Sequence, residues 1–169
     1  LVEDVLEITR LDENRQDVTF APFNLSALLR TIIDRTQALM PSERITLHAP
    51  DECVVGTWDI VKIEQTLNNV LSNAVKYAPT GPIDVTLTPD TDHVEISVGD
   101  RGHGIASDAL PHVFERFYRV PGEASNARGV GLGLTIARNL VEAHGGSIEI
   151  ESTPGEGTTV RITLPLDSS

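Results

Sequence analysis

Aromatic residues are scarce, at 4% of the 169 residues, with one tryptophan, two tyrosines and four phenylalanines. Packing therefore falls to Leu, Ile, Val and Ala, which together supply most of a hydrophobic content of 40%, ordinary for one globular domain. There is one cysteine, Cys53, so no intrachain disulfide can form, and a reducing cytosol is the expected compartment. Cys53 lies in the apolar run Cys53-Val54-Val55 and is expected to be a small buried residue. Basic side chains are few: 13 Lys and Arg stand against 25 Asp and Glu, for a net charge of −12. That balance argues against a nucleic-acid surface, which needs clustered cations to displace counterions. No apolar run approaches the roughly 18 residues that cross a bilayer, and no signal-peptide pattern opens the chain, so no direct membrane contact is expected. The first residue is Leu in the middle of an amphipathic pattern, which reads as a piece of a longer protein.

An acidic chain can still hold an anion, because backbone N–H groups, a metal ion and a few basic side chains suffice locally. Residues 1–11 carry Leu1, Val2, Val5, Leu6 and Ile8 as a helical stripe, the expected end of a longer helix. Val18-Thr19-Phe20 reads as a strand stopped by Pro22. Asn24 or Ser26 caps the next helix, whose apolar positions are Leu25, Leu28, Leu29, Ile32 and Ile33, and Pro41 ends it. Ile45–Leu47 and Cys53–Val55 read as short strands. Asp59 is placed to cap a long helix reaching Tyr77, and two alternating strands follow at Ile83–Leu87 and Val94–Val98. A short helix near Ser107–Val113, a helix from Leu132 to His144 capped by Gly145-Gly146, and strands at Ser147–Glu151 and Thr159–Leu164 complete the chain. Strands mixed with three principal helices predict an α/β two-layer sandwich with the helices on one face.

Two kinds of segment carry chemistry. In the long helix, Ile63, Leu67, Val70, Leu71 and Ala74 share one side, while Asn69, Asn73, Lys76 and Tyr77 form a neighbouring stripe spaced i, i+4, i+7 and i+8. Asparagine is a poor helix former, so two of them one turn apart cost stability relative to Ala. Their carbonyl oxygens are hard ligands suited to Mg²⁺, and Lys76 can meet a phosphate. Eleven of the 13 glycines fall between Gly99 and Gly157. Asp100-Arg101-Gly102-His103-Gly104-Ile105 follows a strand and can present a carboxylate to an exocyclic amine while the backbone approaches a ring. Gly129-Val130-Gly131-Leu132-Gly133-Leu134 runs into a helix, where free N–H groups and the dipole make a phosphate site. Its spacing is neither the Rossmann pattern nor a P-loop, for no Gly-Lys-Ser/Thr is present. Arg119 and Arg128, in the preceding loop, can reach phosphates. Gly155-Glu156-Gly157-Thr158 alone is a hairpin turn.

In this order, these segments resemble the catalytic ATP-binding domain of sensor histidine kinases, of the Bergerat-fold superfamily shared with gyrase, Hsp90 and MutL. The resemblance runs from about residue 17 to 165. Asn69–Tyr77 is similar to the family's N box, Asp100–Ile105 to its first glycine box, Phe114-Glu115-Arg116-Phe117-Tyr118-Arg119 to its F box, and Gly129–Leu134 to its second glycine box. Gly155–Thr158 resembles the last glycine motif. The implied fold is a mixed, mainly antiparallel sheet of about five strands with three helices on one face and a small N-terminal strand pair.

The resemblance also implies roles. Asp100 would bind the adenine amino group, with Gly102, Gly104 and Ile105 close to the base and Thr158 supporting Asp100 through water. Asn73, helped by Asn69, would hold Mg²⁺ against the phosphates, and Lys76 and Tyr77 would contact phosphate and nucleoside. Gly129, Val130, Gly131, Leu132, Gly133 and Leu134 would wrap the triphosphate, with Phe114 beside them. Residues 115–131, including Arg119 and Arg128, would form a lid. Asn69, Lys76 and Arg119 are the implied catalytic set.

The superfamily's ATPases carry a water-activating Glu one turn before the Mg²⁺-binding Asn. Here Asn69 stands there and cannot act as a base, which disfavours hydrolysis and favours phosphoryl transfer. Residues 1–16 resemble the end of the dimerisation-domain helix, and residues 17–169 the catalytic domain. None of His48, His93, His103, His112 or His144 has the neighbours of the family's acceptor histidine. The implied partners are ATP or ADP, the protein's own dimerisation domain with its acceptor histidine, and a response-regulator receiver domain. The full protein is expected to be a homodimer and this piece a monomer. Alternative readings are a Bergerat-fold serine kinase of the anti-sigma type, a non-catalytic nucleotide-sensing module and an ATP-hydrolysing switch.

Overall fold

A computed structural model describes residues 17–121 and 131–167. The elements run β1 (Ala21–Asn24), α1 (Leu25–Ala38), β2 (Ile45–His48), β3 (Val55–Trp58), α2 (Ile60–Tyr77), β4 (Ile83–Pro89) and β5 (His93–Asp100). A 3₁₀ turn at Leu110–His112, then α3 (Gly133–Ala143), β6 (Ser147–Thr153) and β7 (Gly157–Pro165) follow.

Five strands form a sheet in the order β2-β4-β5-β7-β6, and β1 and β3 form a separate antiparallel ribbon. Only β2 and β4 run parallel; the other pairs of the large sheet are antiparallel. Alternation places Ile83, Val85, Leu87, Val94, Ile96, Val98, Val160, Ile162 and Leu164 on one buried face. That face meets Leu25, Leu29 and Ile32 of α1, the Ile63/Leu67/Val70/Leu71/Ala74 stripe of α2, and Ala137 and Val141 of α3 in one core. The other face carries Asp84, Glu95, Arg161 and Glu149 and stays wet. The expected two-layer sandwich is therefore observed, with three helices on one side of a mainly antiparallel sheet.

Several boundaries differ from expectation for local reasons. The first strand is Ala21–Asn24 instead of Val18–Phe20, and it passes through Pro22. Pro22 faces Thr57, whose N–H bonds Leu166 O at 2.9 Å, so the missing proline donor points away from the ribbon and breaks no ladder bond. Asn24 caps α1 by accepting from Ala27 N at 3.0 Å, while Ser26 is buried and accepts from Val54 N at 3.0 Å. Cys53 is exposed, not buried; Val54 fills the core beside it, and the strand begins only at Val55. The helix expected at Ser107–Val113 is a run of turns around Pro111, whose lost N–H keeps it to one 3₁₀ turn.

Asp59 caps α2 as expected. Its Oδ1 accepts from Val61 N at 3.0 Å and Lys62 N at 3.1 Å, and its Oδ2 accepts from Thr19 N at 2.8 Å. The Asp59 backbone N–H in turn donates to His144 Nε2 at 3.1 Å, and His144 Nδ1 donates to Leu140 O at 2.7 Å. His144 thus ends α3 as a buried imidazole that accepts at Nε2 and donates from Nδ1. Gly145, at φ 74°, closes the helix: Gly145 N bonds Glu142 O and Gly146 N bonds Val141 O, each at 3.0 Å. Trp58 is fully buried, with its Nε1 on Pro165 O at 2.7 Å, and clamps the ribbon to the end of β7.

Burial works to raise the Asp59 pKa, but the Thr19, Lys62 and Val61 N–H donors and the Lys62 charge outweigh it and hold it below the ordinary 3.8. A depressed carboxylate adds stability above its unfolded pKa, and that stability is lost as pH falls through the folded value. Asp59→Ala is expected to lower the unfolding free energy by about 1–2 kcal/mol at pH 7 in urea titrations. Asp59→Asn, which keeps an acceptor oxygen, should lose less, and the Ala deficit should shrink as pH falls below 3.8.

Candidate functional site

The polar stripe of α2 lies beside the start of α3. Asn69, Asn73, Lys76 and Tyr77 are all partly buried. A Cβ at Gly133, the first residue of α3, would sit 3.9 Å from Asn69 Cβ and 3.9 Å from Asn73 Oδ1. The N-terminal end of α3, with its free N–H groups, therefore faces both asparagines. Asn69 Nδ2 is buried and has no hydrogen-bond partner among the described residues. An orphaned buried amide is costly unless something else meets it. Lys76 Nζ lies 4.9 Å from the centroid of the Tyr77 ring. Glu64, too far along the helix to serve the site, is paired with Arg35 of α1 at 2.9 Å.

At the other end, the loop after β5 is pressed against the C-terminus of α2. A Cβ on Gly102 would strike the Tyr77 carbonyl, so only glycine lets the loop pass. Gly102 N donates to Asp100 Oδ1 at 2.9 Å. Asp100 is half-buried, and burial raises its carboxyl above the ordinary 3.8; the N–H groups of Gly102 and Thr158 and the nearby His103 oppose this without cancelling it. The carboxylate thus keeps acceptor capacity in a partly desolvated place.

The β6–β7 hairpin braces this loop. Gly157, at φ 117°, lies so close to Asp100 O that any side chain would collide with it. Gly155 N donates to His103 O at 2.7 Å, and Ile105 N donates to Ser152 Oγ at 2.7 Å. Gly104 passes the Thr153 carbonyl. The Thr158 backbone N–H reaches the Asp100 carboxylate directly, where a link through water was expected, and the Thr158 hydroxyl meets Ser152 Oγ at 2.8 Å.

The F-box segment is tied to α3. Thr135 Oγ1 donates to Phe114 O at 2.8 Å, and the Arg138 guanidinium stands 5.5 Å from the centroid of the Phe114 ring. Phe117, at φ 62° and 56% exposed, donates its N–H to Gly131 O at 3.0 Å. Leu132 packs into a small cluster with Ile136 and Leu140, and its carbonyl accepts from Ile136 N at 2.9 Å, while Leu134 is partly exposed. Arg119 is exposed. Arg128, Gly129 and Val130, and most of the expected lid, lie outside the described residues.

The structure thus brings Asn69, Asn73 and Gly133 together, and joins Asp100, Gly102, Gly104, Ile105 and Thr158 to the Tyr77 end of the same helix. Ser152 and Thr135 were missed from sequence, and His144 was read only as the end of its helix, without its bond to Asp59. Ser152 had a signal: it pairs with Thr158 across the hairpin, so drawing that register places two hydroxyls face to face. Among the described residues no group of three His, Cys, Asp or Glu side chains could hold a metal ion. No described helix is long and apolar enough to cross a membrane.

Residues 58–168 match the model of the histidine kinase-, DNA gyrase B- and HSP90-like ATPase family. The chain is 37% identical over 171 residues to sensor histidine kinase WalK of Bacillus subtilis, covering 98% of this chain and 28% of WalK. It is 34% identical over 172 residues to sensor histidine kinase TrcS of Mycobacterium tuberculosis, covering 98% of this chain and 33% of TrcS. It therefore spans about a third or less of these relatives. Among solved structures, full-length ShkA in complex with AMPPNP aligns with a TM-score of 0.85 at 27% identity, over 99% of this chain and 35% of that one. The mycobacterial sensor histidine kinase MprB aligns with a TM-score of 0.76 at 26% identity, over 89% of this chain and all of that one. A family match across most of the chain, on a fold that sets two asparagines against a glycine-led helix, identifies it as a member of the histidine kinase-, DNA gyrase B- and HSP90-like ATPase family.

Proposed function

We propose that this chain is the catalytic ATP-binding domain of a two-component sensor histidine kinase, which presents the γ-phosphoryl group of ATP to a histidine of its own dimerisation domain. The phosphoryl group then passes to an aspartate of a response regulator. The observation that carries this reading is the placement of Gly133 at the head of α3 over Asn69 and Asn73, with Asp100 at the far end of α2. The length of α2 between these ends matches an elongated ligand with a base at one end and phosphates at the other.

In this reading Asp100 accepts a hydrogen bond from the adenine amino group, and Gly102, Gly104 and Ile105 bring backbone close to the base. Tyr77 and Lys76 flank the nucleoside and phosphates. Gly129, Val130, Gly131, Leu132, Gly133 and Leu134 contribute N–H groups around the triphosphate, and Arg119 and Arg128 neutralise charge from the lid. Phe114 sets the lid's base through its carbonyl bond to Thr135. The orphaned amide of Asn69 and the adjacent Asn73 oxygen fit an Mg²⁺-phosphate group, since amides offer a hard oxygen and a donor. Mg²⁺ held by Asn73 and Asn69 would neutralise phosphate charge.

In the transfer, the bond from the γ-phosphorus to the bridging oxygen breaks, ADP leaves, and a bond to an imidazole nitrogen of the acceptor forms. The chain's own residues contribute positioning and charge compensation. Asn69 cannot deprotonate water, which supports transfer over hydrolysis. Residues 1–16, outside the described ones, continue in this reading into the dimerisation helix. The whole protein is then a homodimer with this domain in the cytoplasm.

Asp100→Asn is expected to weaken ADP binding by about 10- to 100-fold in calorimetry, the value of hydrogen bonds to a charged acceptor. ADP affinity of the unsubstituted chain should fall as pH drops through the raised Asp100 pKa, above the 3.8 of an ordinary carboxylate, and the Asn variant should lack that step. Mixed with a separately made dimerisation domain and γ-labelled ATP, the chain should place label on histidine. Label appearing only as free phosphate would remove the kinase assignment.

A further inference from the structure

We propose that Ser152 is a positioning residue that sets where the Asp100 carboxylate meets a purine, and so sets discrimination for the exocyclic amine. The inference rests on the nucleotide reading of the site. Ser152 Oγ makes three hydrogen bonds: it accepts from Ile105 N at 2.7 Å, donates to Gly157 O at 2.8 Å, and meets Thr158 Oγ1 at 2.8 Å. A hydroxyl has one proton and two lone pairs. With its proton on Gly157 O and one lone pair on Ile105 N–H, the remaining lone pair accepts the Thr158 hydroxyl. Every bonding position of this side chain is used.

The three partners surround the Asp100–Ile105 loop. Ile105 is its last residue, Gly157 is pressed against the Asp100 carbonyl, and Thr158 supplies a backbone N–H to the Asp100 carboxylate. Ser152 also pairs with Thr158 in the β6–β7 ladder, which pairs with Asp100 in turn across β5 and β7. One side chain therefore joins the far end of the loop to the strand that braces its beginning. Removing the hydroxyl strands the Ile105 N–H and the Thr158 hydroxyl and frees the loop's exit, while the neighbouring phosphate end on α2 and α3 is untouched. Asp100 would keep its charge but lose its fixed position.

That asymmetry gives a readout a merely structural role would not move. Affinities of ADP and of purine riboside 5′-diphosphate, which lacks the exocyclic amine, are measured by calorimetry for each variant. Ser152→Ala should weaken ADP about tenfold and leave the analogue nearly unchanged, so the preference for ADP collapses. Ser152→Thr, which keeps the hydroxyl, should restore the preference. Ser152→Cys, similar in size but a weak hydrogen-bonding group, serves if the Ala variant does not fold, and its preference should also fall. Equal weakening of both ligands, or an unchanged preference in the folded Ala or Cys variant, overturns the assignment. Asp100→Asn is the reference: if it abolishes the preference while the Ser152 variants do not, only the Ser152 role fails. If Asp100→Asn leaves the preference intact, the reading of the site fails and this inference with it.

Discussion

Asp59 and His144 form the joint on which the site hangs. The Asp59 carboxylate holds the first turn of α2 and the incoming strap at Thr19, and its backbone N–H is received by the imidazole that ends α3. The start of one helix and the finish of the other are thus fixed to a single residue. From that joint α2 and α3 extend side by side over the sheet, and their polar positions meet at Asn69, Asn73 and Gly133. Rotating either helix by one residue would swing these groups about 100° away from each other. The apolar stripes of the helices resist rotation, and the hydrogen-bonded joint resists sliding.

The other end of the site carries the opposite energetic sign. Asp59 is a carboxylate the fold prefers charged, whereas burial makes charge on Asp100 unfavourable. For Asp100 the raised folded pKa means the empty fold binds its proton more readily than the unfolded chain does. Stability therefore declines as pH climbs from the ordinary 3.8 through the raised value, and the deficit persists at neutral pH. The fold tolerates this because backbone donors from Gly102 and Thr158 and a braced loop hold the charge ready. Such a held, partly dry acceptor is what recognition of a base edge requires.

The legible parts of this protein were those whose physics is periodic or local. Helix α2 showed its core stripe and its asparagine stripe in one stretch of chain, and its Asp59 cap announced itself by position. The strands β4, β5 and β7 alternated cleanly because one face of the sheet is wet. What was not legible depended on partners far along the chain. Pro22 looked like a strand breaker, since the proximity of Leu166 to Thr57 cannot be seen locally. Cys53 looked buried because it lies in an apolar run, of which only Val54 enters the core. Ser152 looked like one more polar strand residue, although its hydroxyl anchors a loop 47 positions earlier. The glycines at 102 and 157 were visible as glycines, but the carbonyls they make room for were not.

Those long spans bear on the order in which the protein can be completed. Emerging from the ribosome, the chain delivers Asp100 and its loop well before the hairpin that braces them, and the indole of Trp58 waits 107 residues for the Pro165 carbonyl. Helices α1 and α2 can begin to pack on β4 and β5 early, but neither the amino-terminal ribbon nor the Asp100 loop can take its final form until β7 has arrived. Vectorial synthesis thus leaves the Asp100 loop unbraced until β7 has been made, and any product cut short before Gly157 lacks the hairpin that braces it.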